Sequence, residues 1–551
     1  MVLDEELLEI DDIQGNILAG FNKDHQVFLF LKMSPNAPDL VAIRAWLRHI
    51  APQVNSVAEV AGFNSIFRIM HRRQRSEPKG LVATWLNIAF SAAALRSLTT
   101  SGEVDIFTDI FYKDGLAAHS NGLGDPIDPA APGHPNNWVV GGPNNEADIV
   151  VIIASDSPVY LAERLANVRK MLPAQLTELW EQPGKTLDKP FTGHEHFGFK
   201  DGVSQPGVRG LTQTLPKQLL TPRLIDPAKT PQADPTLPEF AAPGQPLVWP
   251  GQFVFGYRRQ SNSDARNPPA YPNDIANGCP SWGRNGSYLV VRRLNQNVAA
   301  FRVFMRATAA DLATQPGFAG MTTTRFASMC VGRWPSGAPI MRSTTADNVL
   351  LGDDGHANNF FQFAKDSPPA PPLLPDTGYA GDYAAISKRD DKGITCPFSG
   401  HVRKVNPRDT NTEQGNSVDV LTRLVLRRGI PFGPVYPGGL EQDAATTLTD
   451  KQAQRGLVFV SYQTSIEEQF VFLQTTWANH LSNPNGAGGQ DPIIGQGDRM
   501  GDGFRSFSVR AAGQPPQKLN LPPNDWVVPT GGGFFFSPSI SAIATVLAKD
   551  P

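Results

Sequence analysis

The sequence predicts an α+β protein built from two ferredoxin-like halves, with antiparallel sheets and peripheral helices, joined by a proline-rich connector. Three observations lead there. At 551 residues the chain is too long for one ordinary hydrophobic core. Short β-like runs alternate with amphipathic helical stretches, and they do so on both sides of a proline-crowded stretch. The 49 Pro and 50 Gly, set among recurring apolar runs, indicate long ordered loops rather than disorder.

The expected division is a first half over 1–214, a connector over 215–250 and a second half over 251–551. In the first half, "HQVFLFLKM" (25–33), "TWLNIAF" (84–90) and "ADIVVIIAS" (147–155) read as strands. Helices are expected over 37–52, 92–99 and 158–172, giving a β-α-β-β-α-β rhythm with inserted loops. In the second half, "QFVFGYR" (252–258), "GSYLVVRRL" (286–294), "LTRLVLRRGIPFG" (421–433) and "GLVFVSYQ" (456–463) read as strands. Helices are expected over 299–313 and 465–481. The halves share this pattern without a residue-by-residue repeat.

A net charge of −3 and the lack of long Lys/Arg runs argue against nucleic acid as a partner. Cys279, Cys330 and Cys396 are far apart and form no CxxC, which suits a reducing or indifferent compartment. The acidic N-terminus lacks the layout of a secretory signal, and no apolar stretch of about 18 residues suggests a membrane span. The expected location is cytoplasmic, or secreted if a leader has been removed.

The segment "HEHFGFKDGVSQPG" (194–207) concentrates ionisable residues among Phe, Gly and Pro. Asp-Gly alone marks a turn, and the pair recurs at Asp114, Asp354 and Asp502, so the surroundings must decide what Asp201 does. "CPFSGHVRKVNPR" carries His401 with no second His or Cys at zinc-like spacing, and His194 and His196 have no third ligand in view. A closed structural metal site is therefore not expected. A haem iron differs, because the porphyrin supplies four ligands and one histidine completes the protein's share. Its companions would be an acid behind the imidazole, cations for the propionates, and distal acid-base groups. Asp491 in "GGQDPIIG", Arg403, Asp201 and the "RR" of "LVLRRGIPFG" are the candidates.

These segments resemble the dye-decolourising peroxidases. "GFKDGVSQP" is similar to that family's GxxDG signature, with Gly198, Asp201 and Gly202 in register. "CPFSGHVRKVNPR" resembles its proximal histidine segment and "LRRGIPFG" its distal arginine segment. "DDIQGNILAGF", "TWLNIAF", "GRWPSGAPI" and "DPIIG" look like further family blocks, in order from residue 11 to about residue 495. The resemblance implies two ferredoxin-like halves in a dimeric αβ-barrel-like arrangement, with haem b (iron protoporphyrin IX) held mainly by the second. It implies that His401 is the axial iron ligand, Asp201 the distal acid-base residue and Arg427 the distal arginine. Arg427 is preferred to Arg428 because it follows the apolar pair Val425-Leu426 and stands four residues before Pro431; on a strand only one of the two can face the haem. Asp491 would partner His401 Nδ1, with Arg403, Phe472 and Leu473 also against the haem.

The implied activity is reduction of hydrogen peroxide with oxidation of dyes, phenols or other aromatic one-electron donors, through a ferryl intermediate. A carboxylate that takes a proton from the inner peroxide oxygen and returns it to the outer one suits Asp201. A neighbouring guanidinium, charged at every working pH, holds peroxide and stabilises the departing oxygen. Most haem peroxidases use histidine as the base; an aspartate, with an ordinary pKa of about 3.9, moves the optimum toward acid. Bulky donors need a surface route, for which Trp477 and Tyr436 are the candidates. Phe470, Leu473 and Trp477 share a face at helical spacing, which equally describes a core stripe. No acidic cluster demands manganese. Two other readings stay open: a haem-handling protein of the same fold with incidental peroxidase activity, and a haem-free structural protein with Asp201 in a plain turn.

Overall fold

The computed structural model describes residues 3–4, 7–34, 40–74, 80–211, 224–225, 240–242, 244–260, 274–355, 357–366, 387–415, 417, 419–442, 453–484, 486, 488–496, 505–522 and 526–550. Most of the expected connector lies outside these; its described pieces are short strands at Leu224–Ile225, Phe240–Ala242 and Gln245–Val248.

The main sheet has nine strands: β1 (His25–Met33), β2 (Thr84–Phe90), β3 (Ile149–Ser155), β4 (Leu176–Lys185), β5 (Ser287–Gln296), β6 (Leu426–Arg427), β7 (Ile430–Phe432), β8 (Gly456–Gln463) and β9 (Val527–Ser537). The first half runs β2-β3-β1-β4 and the second β6-β8-β5-β9, with β7 also on β8, all antiparallel. Each half thus has the split βαβ order with its third strand between the first and second. The halves meet where β9 pairs β2 at Phe536 and Phe90. β4 comes close to β7, since a Cβ on Gly184 would stand 2.4 Å from Ile430 Cγ2, but no ladder joins them and the barrel stays open.

β1, β2, β3 and β8 carry apolar residues toward both faces because helices cover one side and the other half covers the other. β9 is unusual. Its "TGGGFFF" places Gly532 at φ +142, where a Cβ would stand 2.0 Å from Val291 O. Only glycine lets β5 and β9 approach there.

Several expected elements differ. The run 252–258 is no strand: it begins in a 3₁₀ turn at Pro250–Gln252, and Phe253, Val254, Phe255 and Tyr257 are buried as anchors of a turn. The stretch 421–433 divides into a short helix at Val420–Arg423 and the strands β6 and β7. The helix expected over 465–481 is two π-helical segments, Ile466–Val471 and Leu473–Ala478. The altered pitch breaks the stripe expected of Phe470, Leu473 and Trp477. Phe470 packs on Phe459 and Phe534, while Trp477 meets Phe472. β4, β9 and a helix at Val57–Gln74 were not expected.

Candidate active site

The loop after β4 carries Asp201. Gly198 (φ +103) and Gly202 (φ +72) both take left-handed conformations with open space where a Cβ would be, so conformation rather than crowding requires glycine in the GxxDG spacing. Asp201 N donates to Gly193 O (2.9 Å), closing the loop on itself. Across the halves, Arg427 Nη1 meets Asp201 Oδ1 at 3.0 Å, and Arg427 Nη2 donates to Ser204 O at 2.8 Å. Gln205 grips the Arg427 backbone both ways, accepting from its N at 3.1 Å and donating to its O at 3.2 Å. Asp201 Oδ1 also accepts from Gly202 N. Oδ2 has no partner among the described residues. A cavity of about 300 Å³ reaches this pair, lined also by His194, Lys23, Asp24 and Gln26.

Arg428 points the other way, as strand alternation requires. Its guanidinium donates to the carbonyls of Asn16, Ile17 and Leu18, at the end of the helix Gly15–Leu18, and so ties the N-terminal segment to the second half.

His401 opens the helix His401–Val405. Its Nδ1 stands 2.8 Å from Asp491 Oδ2, and Asp491 Oδ1 accepts from Ile493 N and Ile494 N, so the fully buried carboxylate is committed. Burial pulls the His401 pKa down, but the Asp491 charge and hydrogen bond outweigh it and leave it raised. Donation of Nδ1–H to Asp491 turns the Nε2 lone pair outward. Nε2 has no partner among the described residues, and the side chain is 27% exposed. The charges of Arg427 and Asp201 both act on this imidazole.

Arg403 does not join them. Two residues past His401 on a helix, it faces nearly the opposite side. Its guanidinium is buried between Phe363 and Phe398, paired to Asp390 and bonded to Cys396 O. Two other arginines, Arg333 and Arg408, each lie over the Phe361 ring and were not singled out from sequence. Burial, with the charges of Arg408 and Arg427, pushes Arg333 down to about 9; burial brings Arg408 to about 10. Lys404 was also missed. Its buried ammonium donates to the carbonyls of His480, Asn483 and Gly489, fastening the His401 helix to the segment that leads into Asp491.

Phe472 and Leu473 are half-buried at the junction of the π-helical segments; Phe472 lies under the Arg423 guanidinium at 3.7 Å. Trp477 and Tyr436 are not at the surface. Trp477 is wholly buried, its Nε1 donating to Glu413, and Tyr436 is covered by the guanidinium groups of Arg302 and Arg455.

In "HEH" the two histidines separate. His194 lines the cavity, while buried His196 donates Nε2–H to Phe432 O (2.8 Å) on β7. Among the described residues no group of three His, Cys, Asp or Glu is placed to hold a metal ion. Burial pulls the His196 pKa from 6.5 down to about 4, so the fold prefers its neutral form. The stability this contributes is present above pH 6.5 and is lost as pH falls toward 4, up to about 3 kcal/mol. The slope of Tm between pH 6.5 and 4 is expected to be shallower in His196→Phe than in wild type; equal slopes would show that His196 is not buried neutral.

A family model described as the DyP dimeric alpha+beta barrel domain matches residues 12–186. A dye-decolorizing peroxidase of Exidia glandulosa is 31% identical over 547 residues, covering 98% of this chain and 87% of that protein. The chain belongs to the dye-decolourising peroxidase family. A second family member, from Mycetinis scorodonius, is 29% identical over 551 residues, covering 98% of this chain and 88% of its own. The solved structure of an ancestral D-type dye decolorizing peroxidase superposes with a TM-score of 0.74 at 29% identity, over 99% of this chain and 100% of its own. Among dye-decolourising peroxidases, then, this chain carries the GxxDG aspartate on one half and its arginine and histidine on the other. No helix among the described residues is long and apolar enough to cross a membrane.

Proposed function

We propose that the chain is a haem b peroxidase that reduces hydrogen peroxide and oxidises dyes, phenols and similar aromatic donors, in which His401 would hold the iron and Asp201 and Arg427 would act on the peroxide. The observation that carries this reading is the pair of opposed constellations: an imidazole with a committed Nδ1 and an open Nε2, and an Arg-Asp pair whose charges reach it. The donor set fits haem, since it offers one outward nitrogen rather than a closed cage. When bound, haem supplies the iron on which peroxide is reduced and the oxidising power passed to donors.

The chain's own residues do the rest. Arg427, braced by Ser204 and Gln205, orients peroxide and stabilises negative charge on the departing oxygen. Asp201 keeps Oδ1 on Arg427 and uses Oδ2, which has no partner among the described residues, to take and return the proton. Asp491 holds the His401 tautomer and raises its basicity. Arg333 and Arg408, whose charges repel each other, are the candidates for the haem propionates, where an anion relieves that repulsion. The residues assigned to holding haem, His401, Asp491 and Arg408 with Arg333, all lie after the connector, which supports the division into halves over 1–214 and 251–551 around 215–250. A haem-handling role has less support, because a carrier has no use for the Asp201-Arg427 pair. A stopped-flow spectrum of purified protein mixed with peroxide tests the whole reading: a Soret band that shifts rapidly is expected, and its absence would refute it.

Trp477 is the better electron relay of the two aromatic candidates. Removing an electron makes the indole N–H strongly acidic, and Glu413 stands ready to receive that proton. The cations over Tyr436 oppose its oxidation. Trp477→Phe should slow turnover of bulky dyes and leave the peroxide step at wild-type speed; unchanged dye turnover would remove Trp477 from the route.

A further inference from the structure

Asp201 and Arg427 stand 226 residues apart and belong to different halves of the fold, so their 3.0 Å contact depends on what fastens the Asp201 loop to the second half. Phe197 and Phe199 supply apolar anchorage, with Phe197 stacked on Phe301 at 4.3 Å. Gln205 and His196 supply two polar straps, to β6 and β7. A third strap is Glu195. One of its oxygens accepts from Phe197 N (2.8 Å) and from Gln296 Nε2, and the other accepts from Phe199 N (2.9 Å). Gln296 is the last residue of β5, so this carboxylate both closes the turn that delivers Lys200 and Asp201 and bolts it to a central strand of the other half.

Glu195 makes no ion pair among the described residues, although the charge of Arg302 reaches it, and its hydrogen-bond donors are all neutral. A carboxylate that is out of water and held only by neutral donors is costly to maintain, and burial pushes its pKa up to about 7. The charge of Asp201, six residues on in the same loop, adds to that rise. A turn needing only stability would be served by an uncharged side chain. What the carboxylate adds is two acceptor oxygens in one plane, which fix three donors, and with them the direction in which residues 199–201 leave the turn.

We infer that Glu195 is a positioning residue for Asp201: through Phe197 N, Phe199 N and Gln296 it sets where the Asp201 carboxylate stands against Arg427. This rests on the distal role proposed for Asp201. Misplacement of a reacting group by about 1 Å can cost on the order of 100-fold, so the effect should be read in the peroxide step.

The test uses haem-loaded Glu195→Gln, the double variant Glu195→Gln/Gln296→Glu, and Asp201→Asn, each compared with wild type. Glu195→Gln places an amide N–H against donors. It is expected to keep haem content and Soret position, to slow the peroxide-driven spectral change by roughly tenfold or more, and to speed hydrogen exchange in the peptide spanning 195–201. The double variant restores a donor–acceptor pair between 195 and 296 with reversed polarity, while one backbone N–H still faces the amide, and is expected to recover part of the rate. Rescue is the readout that general destabilisation would not produce. Wild-type rate and exchange in Glu195→Gln, beside a slow Asp201→Asn, would overturn this inference and leave the distal reading intact. A fast Asp201→Asn would overturn both. Loss of rate that the double variant does not recover would also overturn it, since the effect would then be structural. If Glu195→Gln fails to load haem, Gln296→Leu removes the β5 donor alone: slowing with normal haem content supports the inference, and wild-type speed overturns it.

Discussion

His401→Ala is expected to fold and to purify largely without haem, the largest effect of any single substitution in this chain. The reason is geometric. His401 presents an imidazole nitrogen open to an iron, backed by the buried Asp491 carboxylate and within reach of the Asp201 and Arg427 charges, and no group of three metal-ligating side chains stands among the described residues. Without that bond only the porphyrin's apolar and propionate contacts remain. Haem content per chain and far-ultraviolet circular dichroism check this together; full occupancy with an unchanged Soret band would refute the assignment. Asp491→Asn should be milder. An asparagine oxygen can still accept from Ile493 N and Ile494 N, so the loop persists, while the charge behind His401 is lost and the amide nitrogen can no longer accept from Nδ1. Haem should stay bound with a raised reduction potential, because the imidazole donates less to the iron.

The difference between His401 and Arg403 illustrates what was legible in the sequence. Both lie in one motif, and the resemblance implied that both stand against haem. Which way each side chain points depends on residues outside the motif: Asp390 draws Arg403 inward and Asp491 receives His401. Direction within a short helix was therefore not legible from the motif. On a strand it was, because alternation separates Arg427 from Arg428 whatever the surroundings. Glu195 and His196 sat in the very segment that raised the question about Asp201. His196 was weighed there with His194 as a possible metal pair and Glu195 was given no role, since the partners of Glu195 and His196, Gln296 and Phe432, are about 100 and 236 residues away.

The fold was legible where burial on both faces writes itself as a continuous apolar run. β1, β2 and β8 begin and end where the sequence suggested. β4 was not assigned from sequence; it contains Pro183 and Gly184, which weaken a strand signal, and it is an edge strand, where both residues are tolerated. β9 escaped because three consecutive glycines remove the side-chain signal just where the backbones of β5 and β9 crowd. The run 252–258 failed in the opposite sense: its apolar residues are buried, but as side chains of a turn rather than as a strand.

Arg427→Leu and Asp201→Asn are expected to separate two contributions to the peroxide step. Arg427→Leu removes the guanidinium that orients peroxide and stabilises the leaving oxygen, where loss of one preorganised donor costs about 2.7–4 kcal/mol. It also releases Asp201 Oδ1 and frees Ser204 O, so the loop loses one tie to β6 while Gln205 keeps the other. Asp201→Asn retains an oxygen for Arg427 but places an amide where Oδ2 handled the proton, and loss of a general base typically costs about 10²–10⁴-fold. At least one of the two should slow the peroxide-driven spectral change by about 100-fold or more, with haem content near normal, because neither residue ligates iron. The rate must be taken under excess peroxide rather than from dye turnover, which the electron route to the donor can limit. An external base distinguishes the causes: small amines or imidazole should partly restore Asp201→Asn, where a proton acceptor is missing, and not Arg427→Leu, where a fixed charge is missing. If both variants react at wild-type speed, Asp201 is a turn residue held by Arg427 for the fold alone, and proton transfer belongs to another group lining the same cavity, of which His194 is the nearest in sequence.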